Sequence, residues 1–124
     1  MTTSIEKCSK GTGSERSLRT FSESADATAS GQSSSFDTAA LEDASWIAGL
    51  TTLAGGTAPT VTVQWEHSYD GVSWYAVAAE APLAAAGFKQ RLTRENLMRY
   101  LRVSWTTTGS PTTATLEIRI QVHG

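Results

Sequence analysis

The chain has 124 residues, a formal net charge of -2 and a sequence isoelectric point of about 5.6. This length suits one domain with a single core, and the lack of a net positive charge disfavours bulk binding to nucleic acid. The single cysteine, Cys8, excludes an internal disulfide and any multi-cysteine zinc site; a free thiol or a bridge to a second chain remains open. No apolar run approaches the roughly 18 residues of a membrane helix, and residues 1–11 lack the apolar middle of a secretory signal. We therefore expect a soluble protein made in the cytoplasm.

Residues 1–38 differ in composition from the rest of the chain. Of these residues, 16 are Ser or Thr, and Phe21 and Phe36 are the only aromatic side chains among them. So little apolar surface cannot offset the conformational entropy that is lost on ordering. The sequence therefore predicts an extended N-terminal arm over residues 1–38 that is held by a neighbouring subunit, with Phe21 and Phe36 as candidate partner contacts.

From residue 39 onward, apolar and polar residues alternate with a period of two, which is typical of β-strands with one buried face. The apolar positions of the three clearest segments are Val61, Val63, Trp65; Leu101, Val103, Trp105; and Leu116, Ile118, Ile120, Val122. Segments 45–53 and 88–92 are weaker strand candidates. Short strands separated by Gly- and Pro-containing loops predict an all-β fold. We expect an antiparallel β-sandwich over residues 39–124, either immunoglobulin-like or jelly-roll-like.

Asp70 and Gly71 lie between two alternating segments and are a strong signal for a tight hairpin, because a type I′ turn needs positive φ at both central positions. A two-residue loop would pair His67 with Trp74, and both would then lie on the apolar face. A longer loop would change the strand partners but not the turn. In either case the turn is structural and needs no ligand.

The tryptophans raise the question of a carbohydrate site, because aromatic rings can stack on sugar faces. The strand pattern assigns Trp65, Trp74 and Trp105 to the core and does not place Trp46. A carbohydrate-binding β-sandwich module would require a row of exposed aromatic residues instead. It is the alternative function from a different class.

No arrangement of residues indicates catalysis or metal binding. Neither His67 nor His123 is accompanied by a nucleophile elbow or a comparable turn. Glu66 and His67 are adjacent in a predicted strand, so their side chains point to opposite faces and do not share a metal. The Gly-Gly pair at 55–56 is not followed by the lysine of a phosphate-binding loop. We expect no enzymatic activity, no metal and no cofactor.

Half of the ten basic residues lie between positions 89 and 102: Lys89, Arg91, Arg94, Arg99 and Arg102. They predict either a solvated edge with local ion pairs or a patch that contacts an acidic partner, where arginine can bind a carboxylate through two hydrogen bonds. The repeated interleaving of aromatic with basic residues that is typical of single-strand binders is absent from this stretch. Tyr75 is a further candidate partner contact, because tyrosine is enriched at interfaces.

Two stretches together resemble a known class of proteins. Residues 57–77 combine an alternating strand with Ser-x-Asp-Gly-x-x-Trp, and residues 99–118 combine a Tyr-Leu-Arg-Val strand, a Thr-Gly-Ser-Pro loop and a further alternating strand. In this order they resemble small β-sandwich virion proteins of tailed bacteriophages. The resemblance implies a structural role on the particle, with the major capsid protein or other virion proteins as partners, and it implies no activity.

The function expected from these observations is that of a capsid decoration protein, attached through its arm and sandwich surface. It would be made in the host cytoplasm and located in the virion, as a homo-oligomer that is a trimer by analogy with capsid lattices. A neck or tail position, as a collar or fibre-base component, is the alternative place within the same particle.

Overall fold

The computed structural model describes the backbone of residues 2–10, 14–39, 43–93 and 97–123, and the side chains of residues 19–39, 43–92 and 97–123. In chain order its strands are β1 (Thr2–Lys10), β2 (Ser14–Asp26), β3 (Gly31–Gln32), β4 (Phe36–Asp37), β5 (Asp43–Ala54), β6 (Thr60–Ser68), β7 (Tyr75–Ala79), β8 (Gly87–Thr93), β9 (Tyr100–Thr108) and β10 (Thr113–His123). Over these ranges, no helix has the length and apolar character needed to span a membrane.

The strands form two antiparallel sheets that pack against each other. Sheet A has the order β1-β2-β10-β5-β8, and sheet B has the order β3-β9-β6-β7, with β4 also paired to β9. If β3 and β4 are taken as one interrupted strand, two four-stranded sheets with jelly-roll order result, and β1 is added at one edge. The predicted all-β antiparallel sandwich is confirmed, and of the two types considered the strand order is that of a jelly roll.

The core consists of the inward-facing alternate residues of both sheets. The buried side chains are those that the period-two pattern predicts on β6, β9 and β10: Val61, Val63, Trp65, Leu101, Val103, Trp105, Leu116, Ile118, Ile120 and Val122. Trp46 of β5, which the sequence does not place, is also fully buried. Its ring packs against that of Trp65 across the two sheets, with 5.5 Å between ring centroids.

Most of the predicted N-terminal arm is part of the sandwich. Strand β2 pairs with β10 from Leu18 to Asp26, and β3 and β4 pair with β9. Phe21 and Phe36 are 0% and 3% exposed, and their ring centroids lie 5.0 Å apart. The prediction that these two rings contact a partner therefore needs correction, because both are buried in the chain's own core. Residues 18–37, which the sequence assigns to the arm, therefore belong to the sandwich.

The core assignment gives a direct expectation for stability. Ile120→Ala removes a fully buried side chain and should lower the free energy of unfolding by about 2–5 kcal/mol, from lost burial and the cavity that remains. Gln121→Ala, at the exposed neighbouring position of the same strand, is the matched control and should change it by no more than about 0.5 kcal/mol. Urea denaturation measures both, and similar losses for the two variants would contradict the assignment of strand faces.

Candidate interaction surfaces

The Asp70-Gly71 turn is held by side chains of its own loop. Oδ1 of Asp70 accepts hydrogen bonds from the backbone N–H groups of Val72 at 2.8 Å and Ser73 at 2.9 Å, and from the hydroxyl of Ser68 at 3.0 Å. Backbone donation by Ser73 and Val72, followed by the Ser68 hydroxyl, holds the pKa of the Asp70 carboxyl below its usual value. The acceptor capacity of this oxygen is therefore used to shape the turn.

The loop that contains this turn is longer than the sequence predicts. Strand β6 ends at Ser68 and β7 begins at Tyr75, so the loop covers residues 69–74. His67 pairs with Tyr75 instead of Trp74, and a bulge lies between Trp65 and Glu66. The two-residue loop does not occur and the longer loop does, because the side chains of Ser68 and Asp70 supply hydrogen bonds that a wider turn needs.

This longer loop moves Trp74 out of the core. Its half-buried ring lies on the outer face of sheet B, with Cζ of Arg102 4.3 Å from the ring centroid. The core assignments of Trp65 and Trp105 are confirmed, and the assignment of Trp74 is wrong. A row of exposed tryptophans does not occur, since Trp46 is also buried.

Arg91 lies at the side of the sandwich where the edge strands of the two sheets meet. Its Nε donates to Oε2 of Glu80 at 2.9 Å, and the same oxygen accepts the indole N–H of Trp65 at 2.7 Å. Burial alone would raise the pKa of Glu80, but the hydrogen bonds from Trp65 and Arg91 lower it overall. This pair therefore joins β8 of sheet A to the residue that follows β7 of sheet B.

Arg99 and Arg102 are paired at other places. Arg99 donates from Nε and Nη2 to the two carboxylate oxygens of Asp37, at 3.1 and 2.9 Å, and holds the pKa of Asp37 below its usual value. Nε of Arg102 donates to Oε1 of Glu66 at 2.7 Å on the outer face of sheet B. Each guanidinium is thus engaged within the chain.

The predicted basic patch is consequently dispersed. The prediction of local ion pairs is confirmed for three of its residues: Arg91, Arg99 and Arg102. Lys89 is half-buried on β8, and Arg94 lies outside the described residues. Contact of any of these residues with a partner stays a prediction.

The exposed large apolar side chains of the described residues fall into two groups. The first group is in or next to the loop at 69–74 and consists of Tyr69, Val72 and Tyr75. The second group lies on the outer face of sheet A and consists of Ile47, Phe88 and Leu92. We call the second group the β8 patch. Tyr75, a predicted partner contact, is 52% exposed. No sequence pattern singled out the β8 patch, because its three residues come from two separate strands.

Strand pairing brings the β8 patch together around a glycine. Ile47 pairs with Gln90, and Gly49 pairs with Phe88. A Cβ atom on Gly49 would lie 2.4 Å from Cδ1 of Phe88 and 2.3 Å from the backbone oxygen of Gly87. The phenyl ring therefore rests against the glycine backbone, as aromatic side chains do when they cover a glycine on a neighbouring strand.

The hairpin of β1 and β2 extends past the rest of sheet A. Leu18 of β2 pairs with His123, the last described residue of β10. The pairs from Lys7–Ser17 to Lys10–Ser14 lie farther out, and in the described part of the chain they have no third strand beside them. We call residues 7–10 and 14–17 the β1–β2 extension. With a rise of about 3.3 Å per residue, its four pairs project about 13 Å.

His67 is half-buried beside the segment that precedes β9. Its Nδ1 accepts a hydrogen bond from the backbone N–H of Met98 at 3.2 Å, so this nitrogen carries no proton. Burial lowers the pKa of the imidazole from 6.5. The expected packed and hydrogen-bonded histidine is found at the edge of the core.

Comparisons with known proteins bear on the fold. No family model matches the chain, and no curated protein matches it. Among solved structures, the chain is similar to a subunit from Bacillus endospore appendages, a family of disulfide-linked pili. The TM-score is 0.50 at 18% sequence identity, with 86% of this chain and 87% of that chain covered. At this identity the likeness concerns the fold alone. None of these comparisons supports the resemblance to tailed-phage proteins.

The environment of His67 predicts a pH dependence of stability. The folded protein keeps His67 neutral to a lower pH than the unfolded chain, which protonates near 6.5. The stabilising contribution is therefore complete above about pH 6.5 and is lost as the pH falls through the lowered folded pKa. His67→Gln should flatten this decline between pH 7.5 and 5.5 in urea titrations. His123→Gln is the matched control and should leave the His67-dependent decline in place. The prediction is contradicted if the free energy of unfolding falls with pH equally steeply in His67→Gln and in the wild type.

The tryptophan positions predict the response to a soluble fluorescence quencher. Trp46 and Trp65 are 0% exposed and Trp105 is 6% exposed, so acrylamide should reach chiefly Trp74. Trp74→Phe should remove most of the quenchable emission and leave the protected emission unchanged. Trp105→Phe is the control, with folding checked by circular dichroism. An unchanged quenchable fraction in Trp74→Phe would show that a different indole is accessible.

Proposed function

We propose that this chain is a structural subunit of a multi-copy assembly and acts through its surfaces. The observation that carries the proposal is the β1–β2 extension. It projects beyond the sandwich, and there its two strands pair only with each other in the described part of the chain. A two-stranded hairpin on its own is marginally stable in water. The extension is therefore suited to lie against a neighbouring subunit, which would supply the missing contacts.

The two ends of the sandwich differ, and this favours a directional assembly. The extension projects from the end where β10 finishes. At the opposite end, the connections 55–59 and 109–112 lie against each other, with a hydrogen bond of 2.8 Å from the backbone N–H of Thr57 to the backbone oxygen of Gly109. A contact between the extension of one copy and a different surface of the next is heterologous, and heterologous contacts generate rings or filaments.

Cys8 lies within the extension, opposite Arg16 in the strand register. The appendage pili with a similar fold are disulfide-linked. One cysteine can join only two chains, so disulfides of this residue alone cannot link a long series of subunits. If Cys8 forms a bridge, it ties pairs of copies at the extension, and the contacts that propagate the assembly are non-covalent.

The place of the assembly has two candidates. The fold shared with an endospore appendage subunit supports an extracellular structure of many copies. The sequence motifs of residues 57–77 and 99–118 support a tailed-phage particle, with attachment to the major capsid protein or a position in the neck or tail. Co-sedimentation of the chain with intact phage particles distinguishes the phage location from the extracellular one. Copy number then separates a shell protein, with on the order of hundreds of copies, from a neck ring of a few.

Deletion of residues 2–10 tests the proposal directly. This deletion removes β1 and leaves β2 paired with β10, so the sandwich should retain its thermal transition. The full chain should form rings or filaments visible by negative-stain electron microscopy, and the deletion variant should form none. Cys8→Ser is the matched control, which should still assemble because one thiol cannot propagate a chain. A full chain without such assemblies, or a deletion variant that assembles equally well, would rule out the role of the extension.

A further inference from the structure

The β8 patch lies on a sheet face that is otherwise polar. Alternate residues of β2, β10, β5 and β8 form this outer face of sheet A, and the positions around the patch are occupied by Ser, Thr, Gln, Arg and Glu. Ile47, Phe88 and Leu92 are 38%, 57% and 50% exposed. Contiguous exposed apolar side chains within a polar surface mark interaction sites on soluble proteins.

Two adjacent cross-strand rows of this face are complementary to each other. The first row is Arg119, Ile47 and Gln90, and the second row is Glu117, Gly49 and Phe88. A cation and a large aliphatic side chain in the first row correspond to an anion and a residue without a side chain in the second. The charges of the two rows thus match, and Ile47 of the first row corresponds to the Phe88 ring that covers Gly49 in the second.

The position above Gly49 is a depression of about 360 Å³, lined by Ile47, Thr51, Phe88, Glu117 and Arg119. These residues surround Gly49 on the outer face, and the Phe88 ring takes the space in which a side chain at position 49 would begin. The ring of Phe88 forms one wall and is held against the glycine backbone. Because this ring is already positioned, little side-chain freedom is lost when a partner covers it.

The charged members of the two rows differ in their surroundings. The hydroxyl of Ser24 donates to Oε1 of Glu117 at 2.6 Å and holds the carboxylate in position. Arg119 is exposed and makes no hydrogen bond or ion pair with any described side chain. The face therefore presents a cation with no partner among the described side chains, two residues from an oriented anion.

We propose that this face binds the same face of a second copy of the chain. The two copies would be related by a two-fold axis that lies in the contact plane and runs perpendicular to the strands, between the two rows. Rotation about this axis places the first row of one copy against the second row of the other. It places Arg119 opposite Glu117 of the second copy, and Ile47 against the Phe88 ring that covers Gly49 of the second copy. Such an isologous contact makes every interaction twice.

The charge pattern favours a second copy over a different partner. An acidic apolar segment could pair with Arg119, but it would bring a carboxylate close to Glu117. A second copy satisfies both charges at once. The contact also lies near the β8 edge of sheet A, whereas β1 is the opposite edge strand. It is therefore independent of the β1–β2 extension and goes beyond the proposed function.

Charge reversal tests the contact in the full chain. Sedimentation velocity over a series of concentrations below the onset of the larger assemblies, with a reductant present to exclude Cys8 bridges, should show a monomer–dimer equilibrium. Arg119→Glu should raise the dimer dissociation constant about tenfold or more, because it places like charges opposite each other. Glu117→Arg should act in the same way. The double variant Glu117→Arg/Arg119→Glu should restore the wild-type constant, since the two reversed charges again face each other.

Two further variants separate this contact from general effects. Ile47→Lys should abolish the dimer, because it puts a charge against the apolar ring of Phe88 of the second copy. Circular dichroism checks that the exposed substitution leaves the fold intact. Thr106→Lys, at an exposed position of β9 in sheet B, is the matched control and should leave the dimer unchanged. A full chain that stays monomeric, or a double variant that fails to restore association, overturns the proposal. Loss of the larger assemblies on deletion of residues 2–10 is a separate result and concerns the extension alone.

Discussion

Pairing of β10 with both β2 and β5 is the constraint on which the rest of sheet A depends. The strand is paired on one side from Thr115 to His123 and on the other from Thr113 to His123. Its inward residues, Leu116, Ile118, Ile120 and Val122, are fully buried against sheet B. A shift of one residue would turn all four outward, so burial fixes the register of β10 and, through it, the registers of β2 and β5.

The same pairing determines which residues of sheet A meet on the outside. The positions between the buried residues of β10 include Glu117 and Arg119, and their partners on β5 are Gly49 and Ile47. The outer surface is therefore a consequence of the core: once the buried residues are aligned, the charged and apolar residues of the outer rows are aligned as well. A glycine in the middle of β5 is unfavourable for the strand by itself, but it gives Phe88 a flat position against the backbone.

The sequence was informative where one face of a strand is apolar and the other polar. This held for β6, β9 and β10, whose alternation predicted the inward residues. It failed for β2, because the positions that face inward with the buried residues of β10 are Arg19, Phe21, Glu23 and Ala25. A strand with one large apolar residue in four inward positions has the composition of a disordered segment. Its place in the sheet comes from hydrogen bonds to β10, which leave no trace in its own hydrophobic pattern.

The interaction surfaces were less accessible to sequence reasoning than the core. The cluster of basic residues at 89–102 is close in sequence, but alternate strand positions and different sheets send its members to different places, where Asp37, Glu66 and Glu80 pair with three of them. The β8 patch is the opposite case, since Ile47 lies more than 40 positions from Phe88 and Leu92 in sequence but next to them in space. Distances along the chain say little about surfaces in a sandwich whose contacts are mostly between distant strands.

This property of the fold also explains how one short chain can offer several contacts. The two edges of sheet A, β1 and β8, are separated by three paired strands, so a contact at one edge leaves the other accessible. The β1–β2 extension supports a directional contact, and the rows around Gly49 support a symmetric one. A subunit with one contact of each kind can join pairs into longer arrays, because the symmetric contact closes after two copies and the directional contact does not.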